Sequence, residues 1–185
     1  MVHPWQLREA ARQFHAGGLI AYPTEAVYGL GCDPLNGDAV MRLLALKGRP
    51  VEKGLILVAA SFEQLRPFVT PLSDKQMQPV FDSWPGPTTW LLPTAPDLPY
   101  WLSGKHNTLA VRVTDHPLTA ALCRQCQSPL VSTSANPAGQ EPARKALTVQ
   151  RMFKDQLDYL LTGTTGQRSS PSRIIDAASG RILRG

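Results

Sequence analysis

Cysteine is scarce in this chain, and the odd set of three, Cys32, Cys123 and Cys126, excludes a disulfide framework. Long apolar runs are missing too. No window approaches the ~20 residues that span a bilayer, so no membrane partner is expected. The first residues, Met1-Val2-His3-Pro4-Trp5-Gln6-Leu7-Arg8-Glu9, bring charge early and contain no apolar signal core, which makes a cytoplasmic location the expectation. Runs of like charge are also absent. No Lys/Arg stretch exceeds two residues, which argues against a basic arm laid along nucleic acid.

Several catalytic signatures are lacking as well. Gly104-Lys105 has no upstream glycine at the spacing of a Walker loop and is followed by His106. Gly29 and Gly31 begin a G-x-G, but Pro34 stands where a dinucleotide fingerprint needs its third glycine. There is no G-x-S-x-G, so the nucleophile elbow of a hydrolase is excluded. His106 and His116 are candidate bases, against the commoner case of a solvated or satisfied histidine.

What is present fits one compact α/β domain covering residues 1–185. Hydrophobic residues make up 43% and charged residues 18% of the chain, a globular balance at a length that buries a sizeable core. The formal charge of +5 and a pI near 9.4 are compatible with an anionic partner, which could be a nucleotide, RNA or neither. Cys123 and Cys126 form a C-x-x-C that closes the apolar run Leu118-Thr119-Ala120-Ala121-Leu122. This reads as the buried stripe of a helix, since free cysteine packs as a small hydrophobe. A redox or metal pair is the rival reading.

Helical and strand patterns alternate. Leu7, Ala11 and Phe14 recur at helical spacing and Gly17-Gly18 stops them. Leu19–Tyr22 reads as a strand ended by Pro23. A second helix carries Val40, Leu43 and Leu44, begins near Asn36 and ends before Pro50. Leu55–Val58 reads as a strand buried on both faces, and Ser61 with Gln64 has capping-box spacing for another helix. Trp84-Pro85-Gly86-Pro87 predicts a rigid turn before a strand at Thr88–Leu92. Leu109–Val113 and Leu130–Thr133 predict strands on either side of the cysteine helix. Ile174-Ile175 and Ile182-Leu183 flank Ser179-Gly180 as a hairpin. Helical crossovers plus a hairpin imply a twisted mixed sheet with flanking helices.

Three polar clusters stand at strand or helix ends: Pro23–Gly31, Lys47-Gly48-Arg49-Pro50 with Lys53-Gly54 beyond, and Ser132-Thr133-Ser134-Ala135-Asn136. Taken singly they read as caps and turns. Taken together, hydroxyl and amide groups beside a Lys/Arg pair, at the strand ends where α/β sheets bind ligands, describe a grip on polyphosphate.

At these residues the chain resembles the YrdC family of threonylcarbamoyl-AMP synthases, in its short bacterial form. The landmarks are Ala21-Tyr22-Pro23-Thr24-Glu25, Val27-Tyr28-Gly29-Leu30, Leu46–Pro50, Trp84–Thr88, Leu109–Val113 and Ser132–Asn136, in order along nearly the whole chain. The resemblance implies a basic concave surface and an adenylylation. ATP, L-threonine and bicarbonate or CO2 would give threonylcarbamoyl-AMP for a downstream tRNA threonylcarbamoyl transferase complex, with direct contact to tRNA or other RNA an open matter. It implies Lys47 and Arg49 as catalytic residues and Lys47, Arg49, Thr108, Ser134 and Asn136 as the ATP site. Thr24, Arg112, Ser132 and Ser172 would bind threonine, and Mg2+ would come with the phosphates, without a protein ligand. The family's P-S-T is here Pro171-Ser172-Arg173, a departure. From the residues alone, Arg112 pairing with a nearby acid such as Asp115 is the simpler expectation. A non-catalytic RNA-binding or ribosome-maturation module is the alternative function.

Overall fold

A computed structural model describes residues 3–168, 170 and 172–184; Met1, Val2 and Pro171, which figure in the sequence motifs above, lie outside them. Among the described residues the helices are α1 Pro4–His15, α2 Gly37–Lys47, α3 Phe62–Leu65, α4 Asp74–Asp82, α5 Tyr100–Ser103, α6 Pro117–Cys126 and α7 Ala146–Phe153. The strands are β1 Ile20–Pro23, β2 Tyr28–Gly31, β3 Ile56–Ala59, β4 Thr88–Pro93, β5 Thr108–Val113, β6 Leu130–Ser134, β7 Tyr159–Leu160, β8 Arg173–Asp176 and β9 Ile182–Arg184. They form one mixed sheet in the order β7-β1-β2-β6-β3-β5-β4-β8-β9. No helix among the described residues is long and apolar enough to cross a membrane.

The two faces of the sheet do different jobs, and period-two alternation assigns the residues. Leu57, Ala59, Leu109, Val111, Val113 and Val131 join Val40, Leu43 and Leu44 of α2 in the main core. On the other face, Ile20, Tyr22 and Leu130 pack with Ala10, Ala11 and Phe14 of α1 and with Leu122, Cys123 and Cys126 of α6. Those helices cover only part of that face. The rest, reached by Ile56, Thr108, Ala110, Arg112, Ser132 and Ser134, floors a cavity.

The expected α2 start is correct: the Asn36 side chain accepts from Ala39 N at 3.0 Å. The helix ends at Gly48 in the left-handed region, φ 56°, which turns the chain sharply enough to present Arg49. The C-terminal hairpin forms as read, β8 pairing antiparallel with β9. The helix expected after Ser61 forms as α3, but its capping box does not. Ser61 makes no capping bond; Gln64 instead accepts from Ala60 N at 2.9 Å and donates to Cys123 O. The polar cluster after Pro23 contains a strand that was not expected, since Tyr28–Gly31 pairs with β1 and β6. Its glycines serve close packing: a Cβ on Gly31 would lie 2.1 Å from Val131 O.

Candidate active site

The cavity holds about 490 Å3, within the ~300–1,000 Å3 usual for small-molecule sites. Among the described residues five Lys/Arg side chains line it, Arg49, Lys53, Arg112, Arg168 and Arg184, against one carboxylate, Glu25. Of the residues expected from sequence, Arg49, Thr108, Ser134, Thr24, Arg112, Ser132 and Ser172 all line this space, while Lys47 and Asn136 stand behind it.

Lys47 is buried because it continues the inward stripe of α2, one turn beyond Val40, Leu43 and Leu44. Its ammonium donates to Ser134 O at 2.7 Å, to Asn136 Oδ1 at 3.0 Å, and to Asn136 O. That uses all three N–H groups. Burial, helped by neighbouring Arg49, brings its pKa down to about 8. Ser134 Oγ donates to Asn136 Oδ1 at 2.6 Å, and Asn136 Nδ2 donates to the Pro137 and Gln140 carbonyls. Lys47, Ser134 and Asn136 are therefore one internal knot. With its proton committed, Ser134 Oγ offers lone pairs to a ligand.

Arg49 lies along the loop that follows, donating from Nε at 3.2 Å and Nη2 at 2.8 Å to Gly54 O. Gly54 has φ 62° and its carbonyl meets the guanidinium at the cavity wall. Burial pushes the Arg49 pKa down. Thr108 stands at the start of β5, opposite Pro93.

The opposite end is built from the β1–β2 turn. Thr24 Oγ1 donates to Val27 O at 2.7 Å, which closes the turn and leaves the hydroxyl as an acceptor. Glu25 and Arg112 are both buried, at 6% and 7% exposure, and meet at 3.3 Å between Oε2 and Nη2. Thr114 Oγ1 donates to Glu25 Oε1 at 2.5 Å. Burial opposes ionisation of Glu25, but Arg112 and the Thr114 hydroxyl outweigh it and hold the carboxyl below its ordinary range. The simpler pairing of Arg112 with Asp115 is not what forms: Asp115 meets Arg168 at 3.4 Å. Arg112 Nε is buried without a hydrogen-bond partner, a state that costs about 1–3 kcal/mol unless a ligand satisfies it.

Ser172 Oγ accepts from Thr89 Oγ1 at 2.9 Å and from Arg184 Nη2 at 3.1 Å, so its own O–H remains available to a ligand. The departure at Arg173 leaves this serine in place, since Arg173 pairs opposite Thr88 in β8 while Ser172 precedes the strand.

His116 is a capping residue: Nδ1 accepts from Thr119 N and Nε2 lies 3.1 Å from Thr164 O. Cys123 and Cys126 are buried in the helix interface, as the packing reading had it. Burial pushes both thiols up, Cys126 to about 12. Among the described residues no three His, Cys, Asp or Glu side chains come together, and the cavity's carboxylate is already paired.

Lys53, named in the second polar cluster, does line the cavity; sequence reasoning missed Glu25 as a site residue, and with it Arg168 and Arg184. Glu25 was in view inside Pro23-Thr24-Glu25, but no local pattern ties it to a strand so far along the chain. Arg184 had a usable signal. In the hairpin it pairs with Ile174, whose side chain also lines the cavity.

A family model described as telomere recombination, that of Sua5, YciO and YrdC, matches residues 12–185. The chain belongs to the Sua5/YciO/YrdC family. Curated family members similar to it include the threonylcarbamoyl-AMP synthase of Nitrosococcus oceani, 53% identical over 97% of each chain. That of Pseudomonas aeruginosa PAO1 is 53% identical over 100% of this chain and 99% of its own. Among solved family structures, P. abyssi Sua5 complexed with L-threonine superposes with a TM-score of 0.92 at 32% identity, over 100% of this chain and 55% of that one. This chain therefore spans about half the length of that Sua5. E. coli YciO, at 23% identity and a TM-score of 0.84 over 96% of this chain and 87% of its own, shares the fold.

Proposed function

We propose that residues 1–185 act as a single-domain threonylcarbamoyl-AMP synthase, making threonylcarbamoyl-AMP and diphosphate from ATP, L-threonine and bicarbonate or CO2. The observation that carries this reading is one cavity with two unlike ends. One has Arg49 and Lys53 for phosphate, the other a buried Arg112 whose Nε lacks an acceptor. The relatives named threonylcarbamoyl-AMP synthase at about half identity support it, as does the threonine complex of P. abyssi Sua5.

The threonine amine adds to CO2 and loses a proton, giving a carbamate. A carbamate oxygen then attacks the α-phosphorus of ATP, and the bond to the β-phosphate oxygen breaks as diphosphate leaves. No protein nucleophile is required, so the rate comes from alignment and from charge stabilisation. Arg49 and Lys53 neutralise phosphate charge, and Thr108 and Ser134 contact the nucleotide. Lys47 and Asn136 fix the turn that presents Ser134. Arg112 holds the threonine carboxylate, with Thr24, Ser132 and Ser172 around the rest of the amino acid. Magnesium would accompany the triphosphate and offset part of its charge. The product suits a downstream tRNA threonylcarbamoyl transferase that builds N6-threonylcarbamoyladenosine, which fits a cytoplasmic location.

Pyrophosphate release is the test. It should require ATP, threonine and bicarbonate together, and each omission should abolish it. Release from ATP without threonine would contradict the reading, and no release under any condition would favour an RNA-binding module instead.

A further inference from the structure

Glu25 is an unexpected group in a cavity built for anions. A carboxylate there repels both triphosphate and an amino-acid carboxylate, yet it is buried at 6% exposure and kept ionised. Thr114 Oγ1 donates to its Oε1 at 2.5 Å and Arg112 stands against its Oε2 at 3.3 Å. The main chain that carries it is anchored as well: Arg168 N donates to the Glu25 backbone carbonyl at 3.2 Å, and an added Cβ on Gly166 would lie 2.4 Å from that oxygen. The carboxylate therefore has little freedom to move when ligand arrives.

Its partner is held from one side only. Nη2 of Arg112 faces Glu25 Oε2 at 3.3 Å, while Nε has no partner. An ion pair chosen for stability alone would leave no buried donor unsatisfied.

We propose that Glu25 makes the Arg112 corner a carboxylate site and not a phosphate site, by fixing the guanidinium at the cavity wall and by offsetting its charge. The inference rests on the functional reading above and names the selectivity of that site. With Glu25 in place the Arg112 charge is offset locally, and Arg184 is left as the nearby cation. A singly charged carboxylate that pairs with the held guanidinium gains a hydrogen bond there, whereas a polyphosphate finds a fixed negative neighbour and prefers Arg49 and Lys53. Glu25 is thus a positioning and specificity residue acting through Arg112, and need not touch the reacting atoms.

The experiment is steady-state kinetics of the full chain, with threonine varied at several ATP concentrations. Wild-type synthesis is established first; its absence would overturn the functional reading and this inference with it. In Glu25→Gln the threonine KM should rise about tenfold, the worth of one charge-assisted hydrogen bond, with the ATP KM changed by less than about twofold. Excess ATP should become competitive against threonine in that variant and not in the wild type, a readout that a structural ion pair would not move. Glu25→Asp, which keeps the charge, should remain free of ATP inhibition. Adding Glu25→Gln to Arg112→Lys should raise the threonine KM no further. A folded Glu25→Gln protein with threonine KM within about twofold of wild type and no ATP inhibition overturns the proposal. Should Glu25→Gln fail to fold, Thr114→Val decides: a rise of about threefold in threonine KM supports the proposal, and an unchanged KM overturns it.

Discussion

Lys47 and Arg112 are both buried cations, Arg112 in the cavity wall and Lys47 behind it, and they are finished to different degrees. Lys47 gives every N–H to the Ser134–Asn136 turn. Arg112 gives one contact to Glu25 and keeps a buried donor unsatisfied. A cation whose donors are all spent inside the protein shapes a site, and one with a donor in reserve waits for a ligand. The nucleotide end is therefore a scaffold that presents Arg49 and Ser134. The amino-acid end is itself the unfinished half of an interaction.

The comparison breaks most visibly at Arg49. Arg49→Ala should lower synthesis by about a hundredfold or more, since no other planar donor reaches that wall from the same loop and such groups stabilise phosphate charge where it develops. A stopped assay of pyrophosphate release checks this, and near-normal rates would mean that phosphate binds elsewhere.

A smaller effect tests Lys47 through pH. Its pKa is about 8 in the folded chain against an ordinary 10.5. Between these values the unfolded chain holds more protons, so Lys47's contribution to stability rises with pH across that window, and its burial penalty is complete below about 8. Loss of the proton also removes one N–H from the knot, so ATP affinity should fall several-fold as pH rises through 8 while the fold does not weaken. Titrations on either side of that pH check it. Flat affinity would show that the knot does not need a charged lysine.

The smallest expected effect on activity belongs to the cysteines. Replacing Cys123 and Cys126 together with alanine removes packed sulfur, and the Cys123 bond to Val58 O at 3.4 Å, at a site the chemistry does not use. Specific activity should stay within about twofold while denaturant unfolding loses about 1–2 kcal/mol. Lost activity in a folded variant would revive the redox or metal reading.

Which of these features the sequence reveals follows from how local they are. The strands at Thr88, Thr108 and Leu130 are runs of apolar and β-branched residues, and the α2 cap and the C-terminal hairpin are signalled by neighbours in the chain. β2 escapes because Tyr28-Gly29-Leu30-Gly31 has a glycine at every second place, poor for an isolated strand. Pairing with β6 makes those glycines necessary. The helix α4 is hidden by Pro79 within it. In the site, the alternation of β5 correctly turns Arg112 away from Val111 and Val113, but its choice of Glu25 over Asp115 is a tertiary fact. So is the withdrawal of Lys47 behind the wall, which becomes legible once it is counted as the next member of the Val40-Leu43-Leu44 stripe.

Calorimetric titration of Arg112→Lys tests the division between the two ends most directly. Lysine keeps the charge and removes the fork that places Nε. Threonine affinity should fall about tenfold or more, with ATP affinity within about twofold of wild type. Unchanged threonine affinity, or equal losses for both ligands, would contradict the assignment of the amino-acid end to Arg112.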